Sequence, residues 1–228
     1  MALYISLKKA IELIFSFNKE VYFIAYISLY VTFFSTLVST IIGIPLAFLI
    51  NFSKKRTKKV LSSLLHSLMA LPTVVIGLFV YGFISRSGPL GFLGLLFTPA
   101  GIIIGQTILG IPIVASFFFI GLLKVDNRLY ETLTTLGTNK FQFFIEIIKE
   151  TKFIILSSVL AGFGRIIGEV GISMMLGGNI RWYTRTLTTA IALESSKGEF
   201  HFALALGIIL LFLAIIINFF SNLFIKNK

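Results

Sequence analysis

Two ionisable side chains, Arg165 and Glu169, stand one helical turn apart inside the otherwise apolar stretch FIILSSVLAGFGRIIGEVGISMMLGG. At that spacing they meet on one helix face. A lone charge at mid-bilayer costs about 3 kcal/mol or more on insertion scales, so each needs the other. The pair reads either as a gate in a transport path or as a structural bond at a helix or subunit interface. A second group is polar: Glu131, Gly137 and Ile147 lie in residues 124–152, the longest polar interruption between two apolar runs. A third is basic. Arg86, Arg181 and Arg185 fall in turn-rich segments, where guanidinium groups suit an oxyanion, the acidic rim of a partner or lipid headgroups. Other chemistries are missing from the sequence. There is no cysteine, which excludes disulfides, thiolate metal sites and cysteine nucleophiles. His66 and His201 are expected at opposite membrane faces, so no metal site is expected. No GxxxxGK[ST] phosphate loop, nucleophile elbow or HExxH occurs, so the chain is not read as an enzyme, does not itself hydrolyse ATP and needs no cofactor.

The polar stretch 124–152 divides into two short helices. Asp126 suits the N-cap of the first, and Gly137 supplies the left-handed turn that ends it. The second starts at Thr138 or Asn139. Phe141, Phe144, Ile145 and Ile148 give it one apolar face, and Lys140, Gln142, Glu146 and Lys149 an opposite polar one. Such an element docks against something.

The surroundings read as membrane. The chain is 57% hydrophobic and 13% charged, with a mean hydropathy of +0.98, which excludes an ordinary soluble domain. Five stretches, about 22–50, 60–84, 99–123, 153–177 and 202–225, are long enough to span. A hydrocarbon core of roughly 30 Å needs about 20 apolar residues per helix. Pro45 can kink the first, and Pro72 with Gly77 predicts a break inside the second. Ala161, Gly164, Gly168 and Gly171 form a small-residue stripe that points to a central position for the fourth, while Gly101 and Gly105 suggest simple packing of the third. Residues 1–20 read as an amphipathic interfacial helix or as an extension of the first span. Residues 85–99 predict a short interfacial helix, and 177–200 a helical run ending near Gly198 that serves either docking or anchoring.

The net charge of +11 sits in short loops, a topological signature rather than a nucleic-acid footprint. Lys54, Lys55, Arg56, Lys58 and Lys59, with Lys124, Arg128, Lys140, Lys149 and Lys152 and the tail Lys226 and Lys228, place twelve cations at one face. Lys8, Lys9, Lys19, Arg86, Arg181, Arg185 and Lys197 place seven at the other. The richer face is expected in the cytoplasm, which puts the N-terminus outside and the C-terminus inside a cell membrane.

Glu131, Gly137 and Ile147 have the spacing of the coupling-loop signature of ABC importer permeases, with Thr132 and Leu133 where that signature has two alanines and Lys149 and Glu150 where it has Leu-Pro. The order of GIPLAF, LPTVVIG and RIIGEVG resembles the molybdate, sulfate and tungstate group, and SRSGPLG with GGNIRWYTRTLTTAIALESSKG looks most like the tungstate type. The resemblance implies an all-α membrane protein of the type I importer kind: five transmembrane helices, an N-terminal interfacial helix (1–20) and a transmembrane domain (21–228) carrying the coupling loop. It further implies two cytoplasmic ATP-binding cassette subunits engaging Glu131, Thr132, Leu133, Gly137 and Ile147, an external substrate-binding protein, and a second copy of the chain. An ion-driven secondary transporter or channel is the rival reading, but five spans offer no pair of equal halves.

Overall fold

The computed structural model describes residues 2–225, so Lys226 and Lys228 of the charge bias lie outside the described residues. Eleven helices follow one another among them, without a strand: α1 (Ala2–Phe15), α2 (Lys19–Asn51), α3 (Lys55–Met69), α4 (Thr73–Ile84), α5 (Pro99–Leu122), α6 (Asn127–Thr135), α7 (Lys140–Glu150), α8 (Lys152–Ile167), α9 (Gly171–Gly177), α10 (Leu187–Ser196) and α11 (Phe200–Ile225).

Three helices, α2, α5 and α11, are each long and apolar enough to cross a membrane, and the number rises to five if each of two bent pairs counts as one span. The first pair, α3 and α4, bends by 92° at Ala70–Pro72. Pro72 removes an amide donor and forces Leu71 out of helical geometry, as its place in LPTVVIG predicts. The second pair, α8 and α9, bends by 64° just beyond Arg165. Pro45, by contrast, lies within an unbroken α2.

The core is built on α2 and α5. Small and hydroxyl residues let the two backbones approach closely: a Cβ on Gly43 would sit 3.1 Å from the Ile111 carbonyl oxygen, and Ser39 Oγ donates to the Thr107 carbonyl at 3.2 Å. Of the three unbroken spans α5 is the most buried, and α8 packs between α5, α11 and α2. The small-residue stripe divides: Gly171 packs on Thr73 and Val74, and Gly164 lies near Ile217 of α11. Gly162 meets Val114 of α5, whereas Gly168 is exposed, because small-residue spacing marks a face without naming its neighbour.

Helix α1 is separate from α2. Phe17 at φ 53° breaks the chain, and Asn18 Oδ1 accepts from the Glu20 and Val21 amides to cap α2. Residues 85–98 hold only a three-residue 3-10 turn, Gly91–Leu93, less than the short helix expected there. In the other outer segment α10 ends at Ser196, with Gly198 at φ 83° just beyond.

Candidate functional site

The polar hairpin α6–α7 forms as its sequence dictates. Asp126 Oδ1 accepts from the Arg128 amide to cap α6, and Asn139 with Gln142 makes a reciprocal capping box on α7. Between them Gly137 turns the chain at φ 68°. The hairpin is fixed to the bundle by Leu133 and Ile147, both buried in one cluster with Ile50 of α2, Leu65 of α3 and Val114, Phe119 and Leu122 of α5. Aromatic rings add a clasp. Phe48 and Phe52 at the end of α2 meet Phe144 at 4.8 Å and Tyr130 at 5.4 Å, edge to face. Burial pushes the Tyr130 phenol up, against a smaller opposing hydrogen bond from Asn51.

The five residues expected to couple therefore divide. Glu131, Thr132 and Gly137 are exposed, whereas Leu133 and Ile147 are internal anchors. The apolar face of α7 is partly turned from the expected one: Phe144 and Ile148 pack inward as expected, Phe143 and Ile147 join them, and Phe141 is 72% exposed. Leu136 is equally exposed, so two large apolar side chains flank Gly137. Beside them a groove of about 430 Å³ is lined by Arg128, Glu131, Thr132, Thr135 and Leu136. The sequence did signal this: Leu136 breaks the polar pattern just before the turn.

Arg165 and Glu169 do meet, through a single contact of 3.1 Å from Nη1 to Oε2. Their environments differ sharply, the Arg165 side chain being 47% exposed and that of Glu169 only 4%. Glu169 Oε1 accepts from the Gly171 amide at 3.0 Å, and its carbonyl from Thr188 Oγ1 at 2.8 Å. Glutamate thus fixes the restart of the chain at α9, a task the spacing of the pair did not show.

Arg86 is not brought together with Arg181 and Arg185. It is exposed in a separate cavity of about 500 Å³ with Tyr81, Ser85, Ser87 and Phe97. Arg181 grips Glu20 with two nitrogens, Nη2 reaching Oε2 at 2.5 Å, and this carboxylate holds the guanidinium more firmly protonated. Arg185, with its side chain 10% exposed, lies 3.5 Å from both Glu20 and Glu194, and Lys197 completes the cluster. Glu20 and Glu194 were the missed partners. Their signal was scarcity, since only nine acidic residues occur in the chain. Among the described residues no group of three His, Asp or Glu side chains is placed to hold a metal ion.

Residues 39–227 match the family described as binding-protein-dependent transport system inner membrane component. The chain belongs to this family. Among curated members it is 38% identical over 211 residues to the tungstate uptake system permease protein TupB of Peptoclostridium acidaminophilum, covering 92% of each chain. To the TupB of Campylobacter jejuni it is 40% identical over 154 residues, which spans 68% of this chain and 64% of that one. The molybdenum transport permease ModB of Escherichia coli is more distant, at 30% over 61% of this chain and 66% of its own length. Among solved structures, a bacterial ABC transporter involved in the import of the acidic polysaccharide alginate has the same fold, with a TM-score of 0.71 at 19% identity over 97% of this chain and 84% of that chain. An amino acid ABC transporter superposes with a TM-score of 0.65 at 16% identity, over 94% and 97%.

Membership agrees with the several apolar helices of a multi-pass membrane protein, and the fold is that of an ABC importer transmembrane domain. In this inner membrane component the hairpin and the Arg181–Glu194 cluster lie at opposite ends of α2, near Phe52 and Glu20 respectively.

Proposed function

We propose that this chain is the permease subunit of a binding-protein-dependent ABC importer and forms the transmembrane conduit for an oxyanion, with tungstate favoured and molybdate or sulfate next. The observation that carries the substrate class is the 38% identity to a tungstate permease over 92% of both chains. ATP hydrolysis falls to separate subunits, a reading that the match to a family of inner membrane components supports.

Two such subunits act at the hairpin end, in the cytoplasm, and contact Glu131, Thr132 and the Leu136–Gly137 turn. Leu133 and Ile147 carry their motion into α2, α3 and α5 through the cluster those anchors share. A second copy completes the conduit, because the three to five spans of one chain are few to enclose a path alone. ATP-driven closure then rocks the two halves between inward-open and outward-open states. A substrate-binding protein docks at the Arg86, Arg181 and Arg185 end. Arg181 and Arg185 are already paired with Glu20 and Glu194, so they fit that protein's surface better than a free oxyanion. Residues 1–20 anchor at the outer interface, and the N-terminus lies outside.

Reconstitution in liposomes tests this. Tungstate uptake should require the chain, its ATPase subunits, ATP and the loaded binding protein together; uptake without the ATPase would refute the proposal. Because the native chain has no cysteine, a single one placed at Ser87 or Ser53 reports topology. An impermeant thiol reagent added outside cells should label the first and not the second, and the reverse pattern overturns the orientation.

A further inference from the structure

We propose that Arg165 contacts the oxyanion part-way across the membrane, while Glu169 serves only to position it. The inference rests on the importer reading above and separates the roles of two residues that their spacing leaves equivalent.

Both carboxylate oxygens of Glu169 are engaged, Oε1 by the Gly171 amide and Oε2 by Arg165, and its side chain is 4% exposed. So buried, it is not presented to a solute. Arg165 is the reverse case. A guanidinium carries five N–H donors in a planar fork, and here one nitrogen meets Glu169; among the described residues the others meet no second acceptor. The side chain is nevertheless 47% exposed, at the bend between α8 and α9.

That surface does not suit lipid. An exposed guanidinium within a span is strongly disfavoured in hydrocarbon, and broken backbone inside a membrane persists only where protein or a water-filled cavity surrounds it. Both bent pairs break at this level, since Gly171 at the start of α9 packs on Thr73 and Val74 at the start of α4, where a Cβ would sit 3.2 Å from Thr73 Oγ1. The two breaks thus adjoin, and Arg165 and Gly168, three residues apart, are both exposed beside the second. A planar fork matches two oxygens of a tetrahedral oxyanion, which an ammonium group does not. Glu169 beside it keeps the local charge near zero, so the anion is held loosely enough to leave.

The test uses the complete transporter in liposomes, with tungstate uptake and ATP hydrolysis measured together. Arg165→Lys keeps the charge and the bond to Glu169 but loses the fork, and should move about a tenth as much tungstate per ATP. Arg165→Gln should fall below about a hundredth. Glu169→Gln should act on stability, lowering the melting temperature of the complex, with a smaller fall in tungstate per ATP than Arg165→Lys. A wild-type ratio in Arg165→Lys, or equal falls in the lysine and Glu169→Gln variants, overturns the assignment. If the glutamine variant does not assemble, the lysine variant decides. Independently, Arg165→Cys gives the chain a single thiol, which a charged water-soluble reagent should modify in at least one nucleotide state. Failure to label in every nucleotide state also overturns it. A wild type that moves no oxyanion refutes the importer reading instead, and labelling of the thiol still decides whether position 165 faces water.

Discussion

Substitutions at Gly137 separate strain in the hairpin from contact with the ATPase. The residue sits at φ 68°, and no atom lies within 4 Å of where a Cβ would be. A side chain there meets no clash, so its cost to the fold is the left-handed backbone alone. For alanine that is about 1–2 kcal/mol, and it is smaller for asparagine and aspartate, whose short polar side chains tolerate this region. The hairpin withstands such a cost: it keeps its two N-caps, worth about 1 kcal/mol each, and the buried anchors Leu133 and Ile147. All three variants should insert and accumulate normally. Asparagine and aspartate share size and backbone preference and differ in charge. If this turn enters a cleft of the ATPase, an unpaired carboxylate carried into it costs on the order of 2 kcal/mol or more, which is over tenfold in affinity at 1.4 kcal/mol per decade. Gly137→Asn should therefore bind ATPase subunits within about threefold of wild type, and Gly137→Asp at least tenfold more weakly, with uptake falling in step. Titration of ATPase subunits onto the chain in nanodiscs, with uptake at matched protein levels, measures both. Equal binding by the two variants would refute the charge argument, and undiminished ATP-driven uptake in Gly137→Asp would remove the hairpin from the coupling path.

Leu136 and Phe141 are each 72% exposed, so burying both in an ATPase cleft contributes about 2–4 kcal/mol; Leu136→Ser with Phe141→Ser should weaken capture of those subunits about thirtyfold or more without changing insertion, read by the same titration. Arg185→Gln should destabilise the outer cluster by about 3 kcal/mol, less whatever Lys197 recovers, because it strands a buried Glu194, whereas Arg181→Gln removes an exposed contact and should change little. Thermal aggregation in detergent ranks the two, and the opposite order would refute the argument. Gln106→Leu removes the amide that bridges Ser35 Oγ and Ser173 Oγ, at 3.0 and 3.1 Å, and should lower uptake per ATP while ATPase capture stays normal; loss of capture as well would show a general packing defect.

The sequence carried the elements whose causes are local. The caps at Asp126 and Asn139, the turn at Gly137 and the break at Pro72 each follow from a residue's own backbone preference, and each is found. It carried less where a neighbour decides. Helical spacing put Phe141 on the buried face of α7, but the rings of Phe48 and Phe52 recruit Phe143 and Phe144 and leave Phe141 outside. Glycine spacing pointed to α8 but not to the close seam between α2 and α5, where Ser39 meets Thr107 and Gly43 meets Ile111, since hydropathy undervalues serine and threonine. The three arginines looked like one basic surface until Glu20, some 160 residues away in sequence, was found against Arg181.

These contacts also define how motion at one end can reach the other. Helix α5 is shared: its C-terminal half, Val114 to Leu122, packs in the cluster that holds Leu133 and Ile147, and its N-terminal half carries Gln106, bonded to Ser173 of α9. A hairpin displaced by an ATPase pulls on the first; the second is tied to the helix whose restart Glu169 caps beside Arg165. Because α5 is an unbroken helix despite Pro112, it transmits displacement along its length, while the bends of α3–α4 and α8–α9 supply the joints. Physical continuity of this kind becomes coupling only if the two ends respond to each other. The Gln106→Leu variant cuts the chain of contacts at its one polar link between α5 and α9 among the described residues, leaving the hairpin cluster intact, so uptake per ATP that survived the cut would send the coupling through another route.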